Sequence, residues 1–197
     1  MLYKNAIACK CKLLDKTDIT QHYIVARLLE GIKKSNKKSD KRLPITPDIL
    51  KSLLSQLHLV CLNKYETVLF KAAYTLAFFG FLRVGEITFT KPECGNTLAL
   101  SDVYLDWQEG VLTIHLRHAK NDQYGNGSTL KIVKTSSEIC AVTAMSQYLK
   151  CRPKRGGQLF CHFDGSPLTR YQFSAVLKKA WLCRVLIFQD LNRIPLG

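Results

Sequence analysis

A chain of 197 residues that is 47% hydrophobic can bury a sizeable core and is not globally disordered, so one domain with a short appendage is the expected organisation. The net charge of +14, from 29 Lys and Arg against 15 Asp and Glu, is spread over several clusters and points to a polyanionic partner. Nucleic acid ranks ahead of an acidic membrane surface, and the bland alternative is a merely soluble basic protein. Eight cysteines without a C-x-x-C spacing support neither a metal site nor a disulfide framework. The uncharged runs Ala72 to Leu82 and Ile139 to Leu149 are 11 residues each, too short to span a bilayer. With no signal peptide, these features predict a soluble intracellular protein in a reducing compartment, with no cofactor, no metal and no membrane.

Residues 1–18 show no clear period and receive no assignment. From Ile19 to Lys34 the positions Ile24, Val25, Leu28, Leu29 and Ile32 repeat at helical spacing, which predicts an amphipathic helix. Residues 33–42 then carry six cations and one anion with nothing apolar. Lys33, Lys34, Lys37, Lys38, Lys41 and Arg42 read as a linker able to lie along phosphates, or as a solvated tether. Thr46-Pro47-Asp48 has the chemistry of a helix start, followed by a buried stripe of Ile49, Leu50, Leu53, Leu54 and Leu57. His58 has no second ligand at helical spacing and reads as an ordinary residue.

The stretch 66–90 combines an apolar helical stripe, Val68, Leu69, Ala72, Ala73, Leu76 and Phe79, with Arg83 and Glu86 just beyond it. This predicts a buried central helix. Arg83 and Glu86 share a face if the helix resumes after Gly80, and the arginine then pairs either with Glu86 or with a phosphate. Residues 91–96 read as a loop. Val111 to His118 alternates as a half-buried strand, Thr129 to Val133 resumes as its partner, and residues 121–127 connect them as a protruding hairpin. Thr135-Ser136-Ser137-Glu138 has capping-box spacing and predicts a helix start, with Ile139, Val142, Met145, Tyr148 and Leu149 on its inner face. Lys150, Arg152, Lys154 and Arg155 then suit the helix dipole. Leu159 to Cys161 is read as a short strand, Asp164 to Pro167 as a turn, and Thr169 as the cap of a helix carrying Phe173, Val176, Leu177 and Ala180.

The string Gly80-Phe81-Leu82-Arg83-Val84-Gly85-Glu86-Ile87 resembles the first motif box of tyrosine recombinases and phage-type integrases, a Gly-hydrophobic-Leu-Arg-x-x-Glu pattern. Downstream, Arg117-His118-Ala119-Lys120-Asn121-Asp122-Gln123 is similar to their strand-hairpin lysine region, in the version seen in eukaryotic mobile elements of the DIRS and Crypton type. The similarity runs from about His22 through Leu177. It implies an α+β, mainly α fold: a helical tyrosine-recombinase catalytic core with a small three-stranded antiparallel sheet, incomplete at the C-terminus. Residues 1–42 would be a remnant of an N-terminal helical DNA-clamping domain plus basic linker, and 43–197 a truncated catalytic domain.

The implied activity is DNA integration and recombination by cleavage and rejoining through a 3′-phosphotyrosyl intermediate. Arg83 and Lys120 would be catalytic, Glu86 would orient Arg83, and Arg117 joins the basic linker as a DNA contact. Implied partners are double-stranded DNA and self-association on DNA, in the nucleus. The family's His-x-x-Arg box and nucleophilic tyrosine are not found, and Tyr171 precedes their place and reads as a helix-surface residue. The chain is therefore expected neither to cut nor to join DNA. A reading from a different class is a non-catalytic basic DNA-binding or protein-interaction module derived from a mobile element.

Overall fold

Residues 2–35, 44–89, 97–117 and 127–191 are described in the computed structural model, in two units, Met1–Pro44 and Ile45–Gly197. In the first, Leu2–Leu13 forms α1, in the stretch for which the sequence pattern offered no assignment. It ends where Asp15 takes a left-handed backbone (φ 52°) and the Lys16 N–H returns to the Cys11 carbonyl at 2.9 Å. Asp18 Oδ1 then accepts from the Thr20 N–H (2.9 Å) and hydroxyl (2.6 Å), opening a 3-10 turn over Ile19–Gln21. Because His22 is extended after that turn, the helix expected from Ile19 begins only at Tyr23, giving α2, Tyr23–Ser35. Its stripe of Ile24, Leu28 and Ile32 is exposed. Lys34 sits on its last turn, whereas Lys37, Lys38, Lys41 and Arg42 lie outside the described residues, as does the Lys33 side chain.

The second unit begins with α3, Pro47–Val60, where Thr46 Oγ1 accepts from the Ile49 N–H (3.3 Å) and Pro47 occupies the first turn. Leu50, Leu53, Leu54 and Leu57 are buried, as the stripe predicts, against both α4, Lys64–Phe79, and α7, Arg170–Leu191. Asn63 caps α4 through a bond from the Glu66 N–H to its Oδ1 (2.9 Å). Each such cap contributes about 1 kcal/mol. Leu69, Ala72, Ala73 and Leu76 have no exposed surface, so α4 is the buried central helix anticipated from its periodicity. It packs on α6, Ala141–Cys151, and is followed by a single helical turn, α5, Val84–Ile87.

The sheet comprises β1, Val103–Asp106, β2, Val111–Leu116, and β3, Ser128–Val133, antiparallel in the order β1-β2-β3. Leu112 and Ile114 on β2 turn inward while Thr113 and His115 do not, which reproduces the alternation in the sequence. The fold is thus mainly helical with one small antiparallel sheet. Residues 91–96 and the connection 121–126 lie outside the described residues.

Two expectations are corrected. The helix predicted to open on the Thr135–Glu138 box starts instead at Ala141 with Cys140 as its cap residue. Ile139 and Cys140 are buried, and the Thr135 N–H donates to Cys140 Sγ (3.3 Å), so burial of the following apolar pair decides where the helix begins. Leu159 to Cys161 is not a strand, because its backbone has only isolated bridges, Ala99 with Gln158 and Cys161 with Pro167. Side chains take two of its three carbonyls: Tyr148 Oη and Arg152 Nε donate to Leu159 O (both 3.0 Å), and Tyr65 Oη donates to Cys161 O (2.7 Å), while Phe160 O accepts from the Leu168 N–H (3.0 Å). At α7 the cap is as expected and reciprocal: Thr169 Oγ1 accepts from the Gln172 N–H, and Gln172 Oε1 accepts from the Thr169 N–H.

Candidate nucleic-acid interface

Arg83 is placed by the way α4 ends. The Leu82 N–H bonds to Ala77 O (3.0 Å) and the Phe81 N–H to Phe78 O, closing the helix with Phe81 left-handed (φ 50°). Glycine usually fills such a position, and a phenylalanine there costs about 1 kcal/mol. Its side chain is 92% exposed. Gly80 precedes it because a Cβ there would lie 2.8 Å from Leu76 O, 3.0 Å from the Leu82 side chain and 3.2 Å from that of Leu130 on β3. Leu82 and Ile87 are both buried, so the two ends of the motif are pinned and Arg83 stands between them.

Arg83 is the residue before α5, with extended backbone (φ −73°, ψ 149°). Glu86 Oε2 accepts from the Arg83 backbone N–H at 2.7 Å, while Glu86 Oε1 meets the guanidinium Nη1 only at 3.5 Å. The carboxylate therefore spends its stronger bond on the backbone and leaves the guanidinium loosely held, 59% exposed beside a Glu86 that is 13% exposed. A planar cation that cannot lose its proton, displayed in this way, suits bidentate capture of a phosphate or carboxylate.

A strap, residues 97–102, holds α5 from outside. Thr97 Oγ1 donates to Thr88 O (3.2 Å), and the Leu98 N–H donates to Glu86 O (2.8 Å). The next residue reaches a second carboxylate, since the Ala99 N–H donates to Asp102 Oδ2 (2.9 Å). Asp102 is buried, and its Oδ1 accepts from Arg117 Nε (2.9 Å) and Nη2 (2.7 Å), with Ser101 Oγ accepting from the same Nη2 at 3.4 Å. Arg117 is 52% exposed, so its fork is anchored on one edge while much of it remains in solvent.

The sequence pattern had not singled out Asp102, and two further polar devices escaped it. Arg152, placed among the cations at the end of α6, is buried and donates to four backbone carbonyls, those of Pro153, Arg155, Gln158 and Leu159. It is a structural pin. His162 Nδ1 stands 2.8 Å from Glu66 Oε1, tying the loop before α7 to the start of α4. Burial works against its protonation, yet hydrogen bonds to Glu66 and Gln172 hold its pKa above the ordinary 6.5. Neither has a local signal, because Glu66 lies 96 residues from His162 in sequence and the partners of Arg152 are carbonyls.

Arg83 and Glu86 are thus brought together, and Arg117 is joined to Asp102. Lys120 lies outside the described residues. Burial raises the pKa of the Tyr65, Tyr74 and Tyr148 hydroxyls well above the ordinary phenol value. Each donates to a backbone carbonyl, of Cys161, Phe173 and Leu159 respectively, so these three are structural. Tyr171 is 81% exposed on α7, on the surface where the sequence placed it. Cys140 is pushed up by burial and drawn down by hydrogen bonds from Thr135 and Thr143, to about 7. Among the described residues no group of three or more His, Cys, Asp or Glu could hold a metal, and no helix is long and apolar enough to cross a membrane.

The chain is similar to a site-specific recombinase. The solved structure of XerH site-specific recombinase bound to difH substrate, a pre-cleavage complex, matches with 18% identity and a TM-score of 0.44, over 81% of this chain and 47% of that one. XerH bound to palindromic difH substrate, a post-cleavage complex, matches with 17% identity and a TM-score of 0.44, over 74% of this chain and 39% of that one. The chain therefore spans less than half the length of either recombinase. No protein-family model matches the sequence, and no curated protein does.

Proposed function

We propose that this chain binds double-stranded DNA through its phosphates, with Arg83 as the central contact, as a tyrosine-recombinase-like domain of mobile-element type. The observation that carries the reading is the Arg83 and Glu86 arrangement. The carboxylate fixes the backbone of the arginine at 2.7 Å and leaves the guanidinium exposed, on the motif that resembles the first recombinase box. The net charge of +14 supports a polyanionic ligand.

In strand transfer the guanidinium would donate two parallel hydrogen bonds to nonbridging phosphate oxygens, where negative charge grows as the tyrosine attacks. Lys120 would protonate the leaving 5′ oxygen, and Lys33, Lys34, Lys37, Lys38, Lys41 and Arg42 would add phosphate contacts along the duplex. The 197 residues contain no His-x-x-Arg sequence. Binding without cleavage is therefore the activity we assign to these residues alone, since electrostatics cannot replace a nucleophile.

The test is duplex binding across a salt series. Log Kd should change almost linearly with log salt, and Arg83→Ala should weaken binding and reduce the slope by about one. Binding indifferent to salt would favour a protein-interaction role. A covalent protein-DNA adduct trapped on a suicide substrate would overturn the claim that the chain does not cut.

A further inference from the structure

A second arginine in this fold, Arg117, is built more rigidly than Arg83, and the carboxylate that holds it, Asp102, belongs to neither sequence motif. Asp102 is buried and uses both oxygens: Oδ2 accepts from the Ala99 N–H and Oδ1 takes two donors of Arg117 at 2.9 and 2.7 Å. A buried carboxylate needs such compensation, and it obtains it from one backbone N–H and one guanidinium edge. The guanidinium is planar, so fixing Nε and Nη2 on one oxygen also fixes where Nη1 points. Among the described residues Nη1 has no partner, and about half of the side chain is in solvent.

The anchor is also shared with Arg83. Leu98 bonds to the backbone of Glu86, and its neighbour Ala99 bonds to the side chain of Asp102. Two consecutive residues thus register the carboxylate behind each arginine. Just after the connection 118–126, Gly127 is left-handed (φ 67°), and a Cβ on it would lie 2.7 Å from Leu116 O, so the backbone closes tightly on the strand end that carries Arg117.

We propose that Asp102 is a positioning residue that presents Arg117 as a second, preorganised phosphate contact, registered to the Arg83 contact through Leu98 and Ala99. Preorganisation matters because ordering a free arginine side chain on binding costs conformational entropy, which Asp102 has already removed. The inference rests on the duplex-binding reading above.

The experiment uses the full chain, a generic DNA duplex followed by fluorescence anisotropy over a salt series, and a thermal melt of each variant. Asp102→Asn should weaken binding several-fold and reduce the salt slope towards that of Arg117→Ala. The double variant Asp102→Asn with Arg117→Ala should bind within about twofold of Arg117→Ala alone, because Asp102 acts through Arg117. Since Asp102 is buried, Arg117→Lys serves as the second variant: it keeps the net charge and removes the anchored fork, and should also lose several-fold in affinity. If Arg83→Ala weakens binding while Asp102→Asn and Arg117→Lys leave affinity and slope unchanged, this inference falls and the duplex-binding reading stands. If the unaltered chain shows no salt-dependent binding, both fall.

Discussion

Arg83 and Arg117 are each backed by a carboxylate, and the two pairs are built in opposite ways. Glu86 gives its short bond to the backbone of Arg83 and meets the guanidinium at 3.5 Å, whereas Asp102 gives one oxygen wholly to the Arg117 fork at 2.7 and 2.9 Å. The first design fixes where the chain passes and leaves the cation free to adapt to a ligand. The second fixes the cation and lets its exposed edge act from a set position. Local sequence can encode only the first, because a carboxylate three residues away reaches the backbone of its own turn. The second needs β2 to bring Arg117 back to a strap 15 residues earlier.

Arg152 is the limiting case, an arginine with its charge wholly turned inward. Replacing it with methionine removes donors from four carbonyls, one buried and three partly buried, and should destabilise the fold by about 3 kcal/mol, the largest effect expected here, read as a shift of the urea midpoint. A shift below about 0.5 kcal/mol would mean that those carbonyls are readily rehydrated.

Gly80→Ala tests the turn that sets Arg83. Its Cβ would press on Leu76 O at 2.8 Å and on Leu82 and Leu130, so a loss of about 1–3 kcal/mol is expected. DNA affinity should fall with it in conditions where the protein remains folded. Unchanged affinity in a destabilised but folded variant would show that the turn does not control the arginine.

The His162 and Glu66 pair gives a pH dependence. Its folded pKa is raised, so the stabilisation is fully present below the unfolded value of about 6.5 and is lost as pH rises through the folded pKa. Denaturant midpoints should therefore decline through and above neutral pH, and Glu66→Gln should flatten that decline. A decline as steep in the Glu66→Gln variant would assign it to another group.

The smallest stability effects belong to the two exposed arginines. Arg83→Ala should change stability by less than about 0.5 kcal/mol, as expected for an exposed pair at 3.5 Å. Arg117→Ala should cost about 1–2 kcal/mol more, because it strands the buried Asp102 carboxylate. Equal costs would erase the contrast between loosely and tightly held cations.

Several local features were legible in the residues themselves. Thr46 and Thr169 cap the helices they were expected to cap, because a side-chain oxygen reaches an N–H three residues on without help from the rest of the fold. The α4 stripe buries as its period demands, and the strand alternation of β2 survives intact. The start of α6 was misread because a capping box only offers hydrogen bonds, and burial of Ile139 and Cys140 outweighed that offer. The Leu159 to Cys161 strand was misread for the converse reason: its apolar pattern is real, but Tyr65, Tyr148 and Arg152 claim the carbonyls of Leu159 and Cys161 in place of another strand.

By itself the sequence determined what interactions of short range can determine: the caps, the periodic faces, the Arg83 and Glu86 turn, and with them the net charge of +14. Only the tertiary structure decided which charges are committed and which are displayed. Arg152 lies under four carbonyls, Arg117 is clamped by Asp102, His162 is tied to Glu66, and Arg83 stands exposed, although all four are cations or bases in the same string of letters. The physical reason is that desolvation and pairing depend on neighbours brought together by packing, and packing is a property of the whole core.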